Sequence, residues 1–100
     1  ALGESYVQLR ALQIKVQRSL SARLHGALPG AEGSIDKLLM TEADQTIGHA
    51  VMSLRGATNV LDENVDWDTY TWSRAASIYG GTQQIQRNIV AQRLLGLPRA

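Results

Sequence analysis

The sequence predicts an all-α protein that folds as an antiparallel four-helix bundle. Apolar residues recur at every third or fourth position through most of the chain, which is the period of an amphipathic helix. No stretch alternates apolar and polar residues for long enough to form a strand. Glycine-rich or polar segments separate the periodic stretches, as turns require. The length of 100 residues predicts a single helical domain, spanning residues 1–100, with a modest core.

The first predicted helix runs from about Glu4 to Leu24. Its apolar residues form one stripe, made of Leu2, Tyr6, Leu9, Leu12, Val16, Leu20 and Leu24. Val7 and Ile14 lie off this stripe, which indicates a second contact face. Gly26 is the expected stop, and the loop that follows, residues 27–33, is short. A short connection predicts that the first two helices run antiparallel.

The second predicted helix begins near Ser34, which is the expected N-cap, with Asp36 in its first turn complementing the helix dipole. Its apolar stripe is the most regular in the chain: Ile35, Leu38, Leu39, Ala43, Ile47, Ala50, Val51 and Leu54. Gly48 and Gly56 interrupt this pattern at a cost of about 1 kcal/mol each relative to alanine. Glycine inside a helix usually allows a neighbouring element to approach closely, so we expect close packing there.

The segment from Thr58 to Asp68 is predicted to be an acidic surface loop. It is rich in turn-forming polar residues, namely Asn59, Asp62, Glu63, Asn64 and Asp66. Asp68 or Thr69 is the expected cap of a third helix that ends at Gly80. This helix carries an apolar set made of Trp72, Ala75, Ala76 and Ile78.

A two-glycine turn, Gly80-Gly81, precedes the fourth predicted helix, which runs from about Gln83 to Leu95. Thr82 is the expected N-cap, Gly96 the expected C-cap, and Pro98 prevents continuation. Such a turn exposes backbone amides and the positive end of the helix dipole, which suits an anion, a phosphate or a polar cofactor edge. On this chemistry alone, a plain connector is the favoured interpretation.

Composition excludes several classes of function. The formal net charge is +1, so electrostatics do not favour binding to nucleic acid or to an anionic membrane. Apolar runs are only a few residues long, so no membrane span is predicted, and the N-terminus shows no secretory signal pattern. The absence of cysteine rules out disulfides and thiolate metal sites and agrees with a cytoplasmic location.

No metal site is predicted from residue spacing. His25 and His49 pair with neither each other nor carboxylates at ligand spacing, and no Glu-x-x-His is present, which disfavours a di-iron bundle. The acidic segment lacks the order of an EF-hand calcium loop. Glu42 and Asp44 diverge on their helix and are expected to be solvated. The aromatic set Trp67, Tyr70 and Trp72 is interpreted as core or interface anchors.

The C-terminal string Tyr79-Gly80-Gly81-Thr82-x-x-Ile85-Gln86-Arg87-Asn88-Ile89, ending in Leu95-Gly96-Leu97-Pro98, resembles the last two helices of acyl-CoA dehydrogenases. The resemblance extends more loosely through Ala31-Glu32-x-Ser34-x-x-Lys37-Leu38 to about residue 4. It covers the C-terminal helical domain of that family. The family's N-terminal helical and middle β-domains are absent from this sequence, so the chain looks like one domain of a larger enzyme or a truncated subunit.

The resemblance implies a function for the turn. Acyl-CoA dehydrogenases use a glutamate base to remove the α-proton of an acyl-CoA thioester and pass the β-hydride to FAD. An electron-transferring flavoprotein then reoxidises the flavin. By similarity, Gly81 would lie against the thioester, and the adenine dinucleotide part of FAD would be contacted by Thr82, Gln83, Gln84 and Ile85. The domain also contributes to a homo- or hetero-oligomer, with a flavin site shared between neighbouring subunits.

Two departures from the family pattern qualify this expectation. Gly80 occupies the position at which many members carry the glutamate base, so no catalytic residue is assigned in this chain; other branches place the base on an earlier helix. A Gln-x-x-Gly-Gly flavin-contacting motif is expected near residues 53–57, where the chain reads Ser53-Leu54-Arg55-Gly56-Ala57. The alternative to an enzyme domain is therefore a non-catalytic helical association module or a degenerate partner subunit.

Overall fold

The protein is all-helical in a computed structural model that describes residues 2–61 and 65–99. The elements are α1 (Leu2–Leu24), α2 (Glu32–Arg55), a short α3 (Thr58–Leu61), α4 (Val65–Ser73) with a following 3₁₀ turn (Arg74–Ser77), and α5 (Gln83–Ile89) with a following π-helical turn (Val90–Leu94). No strand occurs within the described ranges, so the all-α prediction with four main helices is confirmed.

Helix α2 is the centre of the fold, with α1 on one side and α4 and α5 also packed on it. Gln8 donates to Glu42 at 3.4 Å, and Lys15 pairs with Asp36 at 2.8 Å. The first contact joins the start of α1 to the middle of α2, and the second joins the middle of α1 to the start of α2. The two helices are therefore antiparallel, as predicted. The same reversal relates α2 to α4 and its 3₁₀ turn, since Thr41 donates to the carbonyl oxygen of Ala76 at 3.3 Å, whereas Gln45, later in α2, donates to that of the earlier Ser73 at 3.0 Å.

Small residues form the interior between α2 and α4. Among the described residues, the buried apolar side chains are Ala43, Ala50 and Ala76, and Thr41 is the most deeply buried polar one. A Cβ added at Gly48 would lie 3.2 Å from Cδ2 of Tyr70 on α4. The expectation of close packing at this glycine is therefore confirmed, since even a methyl group there would press against the Tyr70 ring.

The apolar stripe identified on α1 is not the face that packs on α2. Helix α1 instead turns a mixed face towards α2, on which Ser5 is buried and Gln8, Leu12, Lys15 and Ser19 are half-buried. On the predicted stripe, Tyr6 is 66% exposed and Leu20 is 56% exposed. Apart from Leu12, the stripe is left uncovered, because among the described elements only α2 packs extensively on α1.

The first two helices differ from the predicted bounds at their ends. Helix α1 begins at Leu2 rather than near Glu4. Helix α2 begins at Glu32 with Ala31 as the cap residue, and Ser34 is a buried residue of its first turn rather than the N-cap. The amide of Ser34 already donates to the carbonyl oxygen of Ala31 at 3.0 Å, which places it inside the helix. Gly56 does not interrupt α2 but ends it, with φ of +56°.

The predicted loop from Thr58 to Asp68 is partly helical. It contains α3 and the start of α4, so neither Asp68 nor Thr69 caps a helix. The side-chain amide of Asn59 donates to the carbonyl oxygens of Met52 and Gly56, at 2.8 and 3.0 Å, and so ties α3 to the end of α2. Residues 62–64, which include two of the acidic residues of the predicted loop, lie outside the described residues.

Two of the helices change type before they end: α4 continues as a 3₁₀ turn and α5 as a π-helical turn. The chain follows a 3₁₀ path over Arg74–Ser77, where Gln45 and Thr41 of α2 donate to the carbonyl oxygens of Ser73 and Ala76. The π-helical turn that follows α5 ends before Gly96. This glycine has φ of +70°, as a C-cap residue in the left-handed region requires.

The arrangement is open, with a radius of gyration of 16.3 Å against about 13 Å for a compact chain of this length. None of the described helices has both the length and the apolarity needed to cross a membrane.

The exposed apolar residues of α1 predict that the protein self-associates, since a contiguous apolar face in water favours burial against a partner. Sedimentation velocity at increasing concentration should show reversible association. The double substitution Val16→Glu and Leu20→Glu should raise the dissociation constant by at least about tenfold. The control, Gln17→Glu, adds a charge at another exposed position of α1 and should leave association nearly unchanged. A wild-type monomer at high concentration would contradict the prediction.

Candidate functional site

Both residues of the two-glycine turn adopt backbone angles that other residues rarely adopt. Gly80 has φ of +65° and Gly81 has φ of +100°, both in the region that favours glycine. A Cβ added at Gly81 would lie 2.6 Å from Nε2 of Gln86. The absence of a side chain at Gly81 is therefore required by the backbone angle and by the contact with Gln86.

Thr82 caps α5 as predicted. Its backbone is extended, and its hydroxyl oxygen accepts from the amide of Ile85 at 3.2 Å. The carbonyl oxygen of Thr82 accepts from the amide of Gln86 at 2.9 Å. The consecutive amides from Gly80 to Gln84 have no acceptor within the described residues. The turn therefore presents a row of unpaired donors at the start of a helix, which suits a ligand with negative or carbonyl oxygens.

The opposite side of the turn is held by two side chains. The ammonium of Lys37, on α2, donates to the carbonyl oxygens of Tyr79 and Gly81, each at 2.5 Å. Gln86 is buried, and its side-chain amide donates to the carbonyl oxygen of Gly80 at 3.0 Å. Three successive carbonyls of the turn are therefore bound by side-chain donors, whereas the amides are not bonded within the chain.

Apolar and polar side chains beside the turn are open to solvent. Trp72 stacks on Tyr79 with ring centroids 6.5 Å apart, and Trp72 is 72% exposed. Ile85 is about half exposed, Gln84 is exposed, and Thr82 and Gln83 are half-buried. The structure thus brings the predicted site residues together on one turn, with side chains accessible to a ligand. Of the two interpretations of Trp72, core anchor or interface anchor, the first is wrong, because Trp72 stacks on Tyr79 at the surface, and the second stays a prediction.

Both histidines and Asp66 have local partners. His25 Nδ1 lies 2.8 Å from the carbonyl oxygen of Ser21, and His49 contacts both Arg74 and the ring of Tyr70. Asp66, from the predicted acidic loop, is paired with Arg55. No group of three potential metal ligands occurs in the described part of the chain.

Residues 53–57, where this chain departs from the family's flavin-contacting motif, lie at the far end of α2. Ser53 donates to the carbonyl oxygen of His49 at 2.9 Å, and Gly56 forms the cap of the helix. Lys37, which contacts the turn, and Arg55 are separated along α2 by roughly 27 Å, since each helical residue adds about 1.5 Å. The two segments therefore do not form one site within a single chain.

Sequence reasoning assigned no role to Lys37 or Gln86, although both fall within the strings that carry the family resemblance. Lys37 is 42 residues away from Tyr79 in the chain, so only the packing of α2 on the turn reveals their contact. Gln86 lies one residue beyond the predicted flavin-contacting set and faces the interior rather than a ligand.

Comparison with known proteins supports the resemblance. The family described as "Acyl-CoA dehydrogenase, C-terminal domain" matches residues 1–95. Acyl-CoA dehydrogenase IpdE1 of Mycolicibacterium smegmatis is 41% identical over 102 residues, which cover 98% of this chain and 25% of that protein. Acyl-CoA dehydrogenase IpdE1 of Mycobacterium tuberculosis is 37% identical over 75 residues, covering 71% of this chain and 19% of that protein.

A third relative is acyl-CoA dehydrogenase FadE34 of Mycobacterium tuberculosis, which is 30% identical over 98 residues, covering 98% of this chain and 14% of that protein. The chain thus spans about a quarter or less of the length of these relatives. No solved structure matches the chain.

Proposed function

Since this chain belongs to the acyl-CoA dehydrogenase family, we propose that it supplies flavin contacts and oligomer surface to an FAD-dependent dehydrogenation of an acyl-CoA thioester. In this role the chain acts as a single helical domain, and further domains hold the flavin ring and the acyl chain. When bound, FAD accepts the β-hydride of the substrate, and an electron-transferring flavoprotein takes up the electrons. A cytoplasmic location agrees with the cysteine-free composition.

The observation that carries this proposal is the row of unpaired amides from Gly80 to Gln84, at the turn where the family resemblance is most specific. Phosphate and ribose oxygens of FAD are acceptors, and backbone amides at the start of a helix are suitable donors for them. Thr82, Gln83 and Gln84 add side-chain donors and acceptors at the same place. By resemblance, Gly81 would lie against the thioester, while the space left by its missing side chain is filled by the buried side chain of Gln86. The residues present therefore fit the proposed cofactor.

The distance along α2 between the turn and residues 53–57, where this chain keeps only one glycine of the family's flavin-contacting motif, supports a site shared between subunits. The Gly80 turn and residues 53–57 lie near opposite ends of α2, too far apart for one compact contact. In an oligomer, the turn of one chain and the α2 end of a second chain can reach the same cofactor. The exposed apolar stripe of α1 offers surface through which such an oligomer can form.

A second function is favoured by the absence of a base at the turn. Gly80 provides no proton-accepting group, and the side chain nearest to its Cβ position is Lys37, at 3.8 Å. A chain with this turn can act as an association module of a hetero-oligomeric dehydrogenase without taking part in proton abstraction. In the enzyme interpretation, the base comes from outside this chain.

A flavin titration of the wild-type protein and of Thr82→Ala tests the proposed contact. The wild-type protein should bind FAD with a visible flavin absorption band. Loss of the Thr82 hydroxyl should weaken FAD binding by about threefold to tenfold and lower the free energy of unfolding by about 1 kcal/mol. Thr69→Ala, at an exposed position of α4, is the matched control and should change neither value appreciably. Unchanged FAD affinity with only the stability loss would make Thr82 a structural cap and contradict the contact.

A further inference from the structure

Lys37 holds the glycine turn from the side opposite to its unpaired amides. It is half-buried near the start of α2, and its ammonium donates to the carbonyl oxygens of Tyr79 and Gly81. The same nitrogen lies 5.5 Å from the centroid of the Tyr79 ring, within the range of a cation–π contact. No carboxylate pairs with Lys37 within the described residues. Its charge is therefore directed at the backbone of the turn.

The planar geometry of the peptide bond means that binding of the two carbonyls by Lys37 also fixes the direction of the amides that follow them. In a trans peptide the carbonyl and the following N–H lie in one plane and point in opposite directions. The carbonyl of Tyr79 shares its peptide plane with the amide of Gly80, and the carbonyl of Gly81 shares its plane with the amide of Thr82. Since Lys37 draws both carbonyls towards α2, the amides of Gly80 and Thr82 point away from α2.

The turn needs such a restraint because two adjacent glycines allow many backbone conformations. Both glycines adopt positive φ, and neither has a side chain that could pack and hold the peptide planes. Gln86 fixes the carbonyl between those bound by Lys37, which orients the amide of Gly81. Lys37 and Gln86 together thus determine the direction of successive peptide planes in the turn.

We propose that Lys37 is a positioning residue, which aims the amides of Gly80 and Thr82 at the bound thioester and flavin. This inference rests on the proposed function and adds to it the residue that orients the site. Lys37 acts through the backbone and does not itself touch the ligand.

The test compares Lys37→Met, which removes the ammonium but keeps most of the side-chain length, with Lys37→Arg, which keeps the charge and the donors. The control is Lys15→Met, which removes a half-buried ammonium on α1 that is paired with Asp36, away from the turn. Each variant of the isolated protein is titrated with FAD. Hydrogen exchange is followed over residues 79–88, where the amides of Ile85 and Gln86 are bonded to Thr82.

Lys37→Met should weaken FAD binding by about tenfold and accelerate exchange at Ile85 and Gln86. Lys37→Arg should restore most of both values, and Lys15→Met should leave both within about twofold of wild type. The proposal is overturned if Lys37→Met keeps the FAD affinity and the exchange rates of the wild-type protein. It is also overturned if Lys15→Met loses as much FAD affinity and exchange protection as Lys37→Met. A wild-type protein that binds no FAD would reject the proposal that this chain holds the cofactor without further domains, and faster exchange in Lys37→Met but not in Lys15→Met would then decide whether Lys37 orders the turn.

Discussion

Gly81→Ala is expected to lower the free energy of unfolding by about 3 kcal/mol and to abolish most FAD binding. Alanine is strained at φ of +100°, and its Cβ would lie 2.6 Å from Nε2 of Gln86. To make room, the Gln86 side chain must move and lose its hydrogen bond to Gly80, which leaves a buried amide without its partner. The turn that carries the proposed flavin contacts is then no longer held in one conformation.

Gly26→Ala is the matched control for this substitution. Gly26 has φ of +93°, but a Cβ added there would have no atom within 4 Å. The loss of unfolding free energy in Gly26→Ala therefore measures the backbone strain alone, and we expect a loss of about 1–2 kcal/mol. Chemical denaturation and FAD titration, at one protein concentration, measure both variants. Equal stability losses, with FAD affinity kept in Gly81→Ala, would show that the contact with Gln86 contributes nothing.

Gly48→Leu is expected to lower the free energy of unfolding by about 2 kcal/mol, because it forces a large side chain between α2 and α4. A Cβ alone would already lie 3.2 Å from Cδ2 of Tyr70 and 3.7 Å from the hydroxyl oxygen of Ser73. The gain in helix propensity, about 0.8 kcal/mol, is smaller than the cost of separating the two helices. Because α4 leads into the glycine turn, displacement of α4 should also weaken FAD binding.

Gly33→Leu, in the first turn of the same helix, is the matched control, since a Cβ there has no atom within 4 Å. It should be neutral or slightly stabilising. Thermal unfolding and denaturant titration measure the difference between the two leucine variants. Equal stability in both would mean that α4 can move away from α2 without loss, and would contradict the close packing at Gly48.

The turn and its caps could be predicted from the sequence because their determinants are local. Thr82 caps α5 and Gly96 ends the last helix as expected, since both depend on residues within a single turn. The close approach at Gly48 was also predictable, because glycine inside a helix has few other uses. The contact partner of Gly48 was not predictable, since Tyr70 is brought there by the packing of α4.

The acidic segment after α2 shows where local signals mislead. Polar turn-forming residues predicted a loop, but the side chain of Asn59 closes the end of α2 and starts α3. The ion pair between Arg55 and Asp66 then connects the end of α2 to the first turn of α4. These side-chain contacts offset the weak helix propensity of the segment, and they become visible only when the elements are assembled.

Helix periodicity, turn glycines and caps are properties of neighbouring residues, so the all-α class, the main helices and the glycine turn follow from the chain alone. Contacts between residues that are distant in the sequence do not follow from the chain alone. The packing of α2 decided that α1 buries its Ser5 face and leaves Tyr6 and Leu20 exposed. It also decided that Lys37 reaches the turn 42 residues further along the chain. A period of 3.6 residues defines the faces of a helix, but the shape and charge of its neighbours select the face that is buried.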